Sequence, residues 1–339
     1  PAHYNYIAQL HAGGCCPVMQ VGDYDQAYLS DLTAAKFAPE TLARLNAVQY
    51  EDHQPPLYYV LAWPVFALTG GDLTALRLFS VVLGAGVVAV AWAVVRALFP
   101  ARPWFALTAA AFVAFVPQHV AMMAGVNNDS LAELLIGGVL LASVLYVRGG
   151  EDGLPVPHPA ALGALVGLAV LTKTTAFFTG VVALAAVWLR WRRAQRGGAR
   201  TGARALAIAA LWVVLVALAI NAPWWARNAH TYGGLDIAAL GRHDAVVIDQ
   251  PRTADWIAAH GLDGLLRRFV QFTFNSFWGQ FGWMAVPMPD WIYAGLLAFT
   301  GAVLVGLWLA LWRNRRNAEE IRPSQRDGVA LLALALLFV

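Results

Sequence analysis

Residues 74–98, TALRLFSVVLGAGVVAVAWAVVRAL, decide the class of fold. Between Arg77 and Arg96 every residue is uncharged, and the run approaches the ~20 residues that a helix needs to cross the hydrocarbon layer of a bilayer. Further apolar runs lie at about 55–68, 103–123, 130–147, 160–190, 204–222, 291–312 and from 328 onward. Of the 339 residues, 59% are hydrophobic and 13% charged, against roughly 25% charged in a soluble domain. The expected fold is an all-α polytopic transmembrane helical bundle with outer-face loops. A β-barrel would show short segments of alternating polarity instead.

Charge gives the orientation. Residues 190–204, RWRRAQRGGARTGAR, hold six arginines and no acid, and residues 313–326 hold five arginines against two glutamates. Both loops are expected on the cytoplasmic side, because basic residues collect there. Residues 223–290 between them then form a second extracytoplasmic loop. Residues 1–54 carry Asp23, Asp25, Asp31, Glu40, Glu51 and Asp52 against Lys36 and Arg44, and read as a first extracytoplasmic loop. The transmembrane core is expected over 55–222 and the last helices over 291–339. If both loops share a face, an odd number of crossings must separate residue 54 from the arginines at 190. The runs give five if 160–190 is one kinked helix and six if Lys173 sits in a hairpin. The net charge of +3 is explained by these loops, so no nucleic-acid partner is implied. Cys15 and Cys16 are adjacent, and neighbours seldom meet disulfide geometry. The chain begins without methionine and stops inside an apolar run, so it reads as a fragment.

Five segments carry polar groups where an apolar chain has little use for them. In YEDHQPPLYYV (50–60), Pro55 and Pro56 suit a helix start, with Glu51 and Asp52 as an acidic cap and Tyr58 and Tyr59 as interfacial belt residues. Alternatively Glu51, Asp52, His53 and Gln54 line a cavity at the membrane surface and offer bases and donors to a polar substrate. In GVNNDSLAELL (125–135), Asp129 or Ser130 can cap the helix from Leu131, yet Asn127, Asn128 and Asp129 exceed what a cap requires, and surplus polar groups at membrane depth are functional candidates. Lys173 interrupts an apolar stretch; it either snorkels or meets an anion such as a lipid phosphate. In NAPWWARNAHTYGG (221–234), Arg227 stands on the face that the charge rule depletes, and beside Asn228 it is a candidate phosphate ligand. FNSFWGQFGWM (274–284) is either a platform for sugar or isoprenoid, or an interfacial anchor. No HExxH, P-loop, GxGxxG, CxxC pair or GxSxG is present, which removes the main support for zinc proteases, ATP-driven pumps and serine hydrolases.

Taken together, PAHYNYI, HQPPLYY, the arginine in LTALRLFS, VNNDSLA, GLAVLTKTTAFF, APWWARNAHTYGG and FWGQFGWM resemble the polyprenyl-phosphate-sugar-dependent membrane glycosyltransferases of the GT-C superfold. That group, glycosyltransferase family 39-like, includes protein O-mannosyltransferases and lipid A aminoarabinose transferases. The resemblance implies an integral protein of a bacterial plasma membrane whose site faces the extracytoplasmic side. A lipid-linked donor would pass its sugar, with inversion and with or without a divalent metal ion, to a protein, lipid or glycan acceptor of the cell envelope. It also implies a catalytic acidic pair in the first outer loop, expected immediately before Pro1, with His3 beside it. Within the chain, Asp52 and Glu51 are the catalytic candidates, and His3, His53, Gln54, Asn127, Asn128, Asp129, Lys173, Arg227 and Asn228 the substrate-binding ones. A lipid-linked saccharide transporter, or a non-catalytic cell-envelope subunit, is the alternative reading.

Overall fold

A computed structural model describes residues 1–13, 16–198, 202–250, 252–316 and 322–337. Its helices are α1 (Ala2–Gly13), α2 (Gln26–Ala34), α3 (Leu57–Thr69), α4 (Leu73–Leu98), α5 (Pro103–Phe115), α6 (Pro117–Met123), α7 (Asp129–Arg148), α8 (Pro159–Thr172), α9 (Phe178–Arg196), α10 (Ala203–Tyr232), α11 (Leu240–Val246), α12 (Thr253–Trp278), α13 (Asp290–Arg316) and α14 (Pro323–Leu336). Among the described residues, strand structure is confined to the antiparallel pair β1 (Gln280–Phe281) and β2 (Val286–Pro287). The all-α polytopic bundle read from the sequence is what forms. In hydrocarbon, backbone groups must be satisfied within the segment, and helices do that.

Five described helices are long and apolar enough to cross a membrane: α4, α7, α9 with the turn before it, α10 and α13. The run at 103–123 divides into α5 and α6, bent by 66°. Pro117 explains the break, since the residue before a proline is pushed out of helical geometry, and Val116 has ψ 116°. The run at 204–222 continues as helix to Tyr232, so the boundary expected at 222 falls inside α10.

The loops sort to two ends. At one end Arg148, with no exposed surface, donates to the carbonyls of Ala97 and Leu98 and to Asp152. Arg322 binds Asp152 at 2.9 Å, and Gln325 donates to Leu98 at 2.7 Å. Arg190 and Arg193 reach the carbonyls of Tyr146 and Val147. This arginine-rich end thus gathers the loops after α4, α7 and α9 and the start of α14. Residues 199–201 and 317–321 of the two basic loops lie outside the described residues. At the other end, here the site end, residues 1–54 meet the segments around 127, 173 and 227–247.

The hairpin reading of Lys173 holds: α8 stops at Thr172, and Lys173 is extended (φ −150°, ψ 122°) before the chain turns back into α9. Both α3, 13 residues long, and α8, 14 residues long, are shorter than the five candidate spans. At 1.5 Å per residue each reaches only ~20 Å, and α3 packs beside α1 through Tyr6, Tyr58, Tyr59, Ala62 and Phe66. Tyr58 and Tyr59 are therefore buried, with no exposed surface, and do not form the expected interfacial belt. Cys16 is disulfide-bonded, contrary to the expectation from adjacency; Cys15 lies outside the described residues.

Among the described residues the most extensive helix pairing is that of α8 with α10. Gly163 and Gly167 form a small-xxx-small stripe that lets backbones touch where lipid gives no hydrophobic drive to association. A Cβ on Gly163 would sit 2.6 Å from the Val213 carbonyl oxygen, and one on Gly167 would sit 3.0 Å from the Ile220 side chain. Asn221 of α10 fastens the pair by donating to the Gly167 carbonyl at 3.0 Å. Gly163→Ala should therefore lower stability by about 1–3 kcal/mol through overpacking, read as a fall in Tm in detergent. Gly138→Ala, whose Cβ would meet only Leu165 at 3.6 Å, should leave Tm unchanged.

Candidate functional site

The site is built on one face of α1. His3, Tyr6 and Gln9, spaced by three residues, point toward α3 and the loop before it. His3 Nδ1 lies 2.8 Å from the Tyr59 hydroxyl, and Tyr6 stacks on Tyr59 with ring centroids 3.7 Å apart. The Tyr6 hydroxyl donates to the Gln54 carbonyl at 3.3 Å, and Gln9 Nε2 donates to Asp52 Oδ2 at 2.9 Å. A helix thus holds the loop 50–55 by its side chains, which fixes where Glu51 and Asp52 sit.

The two acids differ in environment. Asp52 is 1% exposed, and its Oδ1 has no hydrogen-bond partner. Burial pushes its carboxyl up to about 7, helped by the charges on Asp23 and Glu51 and opposed by the Gln9 hydrogen bond and the charge on Arg227. Glu51 is half-buried, and its carboxylate accepts no hydrogen bond among the described residues. Its charge acts on His3, His53, Tyr50 and Asp52, so it stands at the electrical centre of the group. Burial holds His3 below the usual histidine range, opposed by Glu51 and Asp129 and reinforced by Lys173. His53 is also lowered by burial, opposed by Glu51 and reinforced by His243.

The second polar segment joins this cluster from the bundle. Asn128, 1% exposed, donates to Gln54 Oε1 at 3.2 Å and to the Thr172 carbonyl at 3.0 Å. The N-cap of α7 is Asn128, without a side-chain cap bond, in place of the expected Asp129 or Ser130; Asn127 Oδ1, one residue earlier, accepts from the Ser130 N–H at 3.3 Å. Asp129 is left to pair with Lys173. Lys173 therefore neither snorkels alone nor stands unpaired; it meets a carboxylate beside His3. Gln54 Nε2 approaches His53 Nε2 at 3.4 Å, and His53 Nδ1 lies 3.0 Å from the Tyr50 carbonyl.

Arg227 and Asn228 have a different geometry. Arg227 donates to the carbonyls of Cys16 and Pro17 at 3.0 and 2.6 Å, to Asn228 Oδ1 at 2.9 Å and to the Tyr232 hydroxyl at 3.3 Å. Its guanidinium lies over Trp224 at 4.8 Å. Asn228 is fully buried and donates to the Ile237 carbonyl at 2.9 Å. This is a clamp between the end of α10 and residues 16–17, and a phosphate would have to displace it. Arg242, donating to the Met19 carbonyl at 2.8 Å, adds to the clamp, and His243 meets His53 with ring centroids 4.6 Å apart.

A cavity of about 500 Å³ opens beside the cluster, lined by Asp23, Tyr24, Asp25, Tyr28, Arg44 and Asp249 among others. It adjoins the cluster through Asp23, whose carbonyl accepts from the Gln49 N–H at 3.1 Å and whose charge acts on Asp52. Among the described residues no three His, Cys, Asp or Glu side chains come together to hold a metal ion. Sequence reasoning missed Tyr6, Gln9, Tyr59, Thr172 and His243. The first two carried a signal, since His3, Tyr6 and Gln9 recur at helical spacing in PAHYNYIAQL. Thr172 acts through its carbonyl and His243 through a fold contact, so neither had one.

A family model described as dolichyl-phosphate-mannose-protein mannosyltransferase matches residues 53–226, just over half of the chain. The chain belongs to that family. It is a membrane glycosyltransferase of the mannosyltransferase, GT-C type. The matched segment of this mannosyltransferase-family chain takes in His53, Gln54, Asn127, Asn128, Asp129 and Lys173, and leaves His3, Glu51, Asp52, Arg227 and Asn228 outside. No curated protein and no solved structure matches the chain.

The raised Asp52 carboxyl has a measurable consequence. Between an unfolded value near 3.8 and a folded value of about 7, the folded chain holds a proton that the unfolded chain has lost. Stability therefore declines as pH rises through this window, by on the order of 4 kcal/mol in all. Asp52→Asn keeps a side-chain oxygen for Gln9 and removes the titration. Its Tm should match wild type near pH 4 and exceed it at pH 8; equal Tm values at both pH values would place the Asp52 carboxyl in the ordinary range.

Proposed function

We propose that the chain moves a sugar from a polyprenyl-phosphate donor to an acceptor hydroxyl on the extracytoplasmic face, with Glu51 at the reaction centre. The observation that carries this reading is the convergence of Glu51 with His3 and the Lys173–Asp129 pair at one end of the bundle: all three charges act on His3. The face follows from the basic loops, which gather at the opposite end. On this reading 1–54 and 223–290 are the two outer loops, 55–222 the membrane core and 291–339 the last helices, with α10 carrying the core on to Tyr232.

In the proposed reaction Glu51 accepts the proton of the acceptor hydroxyl as general base. The oxygen attacks the anomeric carbon opposite the phosphate; the bond from that carbon to the phosphate oxygen breaks, and its electron pair leaves with the polyprenyl phosphate. Negative charge then grows on that leaving oxygen, where a cation held in place lowers the barrier. Lys173 supplies it, turning from Asp129 toward the phosphate, with His3, His53, Asn127 and Asn128 as polar wall. Asp52, closed off behind Gln9, relays or stores a proton next to Glu51. Arg227 and Asn228 keep the outer loops together, and the cavity of Asp23, Tyr24, Tyr28 and Asp249 takes the acceptor.

The test is a transfer assay on the full-length protein in nanodiscs with radiolabelled polyprenyl-phosphate sugars. Glu51→Gln should lower kcat by about 10²–10⁴-fold with little change in donor KM, and Lys173→Ala should raise donor KM as well as lower kcat. Full turnover by Glu51→Gln would remove Glu51 from the centre. A wild type that consumes no donor, yet carries lipid-linked sugar across a vesicle membrane, would make the chain a transporter.

A further inference from the structure

The second half of α12 is amphipathic in a way that neither the fold nor the site uses. Leu262, Leu266, Phe269, Val270 and Phe277 fall within one face at 100° per residue, and they are 61%, 54%, 64%, 66% and 51% exposed. Gln271 and Asn275 take the opposite face, and Asp263 and Arg267, paired at 3.5 Å, border the stripe. The flank beside the stripe is covered by the chain itself. At Gly261 (φ 72°, ψ 173°) the helix breaks, a conformation glycine adopts without a Cβ clash. The arm before it then lays Trp256 against the Arg268 guanidinium at 3.9 Å, which also lies over Phe272 at 4.4 Å. That packing leaves the stripe open.

We infer that α12 lies in the plane of the membrane, with this stripe seated among lipid acyl chains and its polar face toward water and headgroups. The occupant is argued from continuity. The C-terminal end of the stripe is fixed to membrane-crossing helices: Phe277 and Trp278 meet Phe112 of α5 with ring centroids 6.4 and 6.0 Å apart, and Trp278 meets Phe299 of α13 at 6.0 Å. The outward surfaces of those helices, with Phe115, Leu297 and Phe299 at 82%, 61% and 50% exposed, already face the hydrocarbon. The stripe extends that surface along the site end. Arg267 lies at its edge, at the depth where anionic headgroups meet the acyl boundary. The inference does not depend on the glycosyl-transfer reading.

Nitroxide labels on Leu266→Cys, Phe269→Cys, Gln271→Cys and Asn275→Cys, in the full chain in lipid nanodiscs with its own disulfide left oxidised, measure the depth of each face. Collision with molecular oxygen and with a water-soluble nickel chelate should split the four. Positions 266 and 269 should be oxygen-accessible and several-fold protected from nickel, and 271 and 275 the reverse. Nickel access at 266 and 269 equal to that at 271 would place the stripe in water and overturn the inference. Protection of 266 and 269 from both reagents would mean a protein, such as a second copy, covers the stripe, and would overturn it as well.

Discussion

A single amide holds the candidate site to the bundle. Asn128 gives its N–H groups to the Gln54 side chain and to the Thr172 carbonyl, so the loop before α3, the start of α7 and the end of α8 are joined by one residue. Nearly dry surroundings make the arrangement exacting, because a buried polar group left unpaired costs about 1–3 kcal/mol. Thr172 is the last residue of α8, and its position sets the next one. Lys173 therefore emerges toward Asp129, and Asp129 follows Asn128 in the chain. Charge placement at the site is thus a consequence of a neutral hydrogen bond.

Around that pin the molecule separates two kinds of arginine work. At the arginine-rich end Arg148, Arg190, Arg193 and Arg322 bind helix-end carbonyls and the Asp152 carboxylate, tying α4, α7, α9 and α14 together. At the site end Arg227, in the last turns of α10, and Arg242, in α11, reach the carbonyls of Cys16, Pro17 and Met19. Orphaned carbonyls at loops and helix ends need donors, and arginine offers several in a rigid fork. Residues 16–55 are therefore held by α1 on one side and by α10 and α11 on the other. Such a frame leaves Glu51, which spends its carboxylate on neither, available to a substrate.

The helical class, the two-ended charge pattern and the polar segments at 51–54, 127–129 and 173 were legible in the sequence, because apolar length and charge asymmetry are local properties. What stayed hidden was relational. The run at 55–68 looked like a crossing; only its packing on α1 shows that it lies at the site end. Arg227 looked like a phosphate ligand because it is a cation on the depleted face. The carbonyls that occupy it come from residues 16 and 17, too distant in sequence for any pattern to reveal. Asp52 and Glu51 are adjacent and chemically alike, and only burial separates a closed carboxyl from an open one.

The central claim is a one-step displacement in which a first-loop carboxylate deprotonates the acceptor without bonding to the sugar. The anomeric configuration of the product, measured by proton NMR couplings after transfer from a donor of known configuration, tests it most directly. Inversion is the predicted result. Retention would mean that a carboxylate such as Glu51 carries the sugar covalently between two displacements, and would contradict the account.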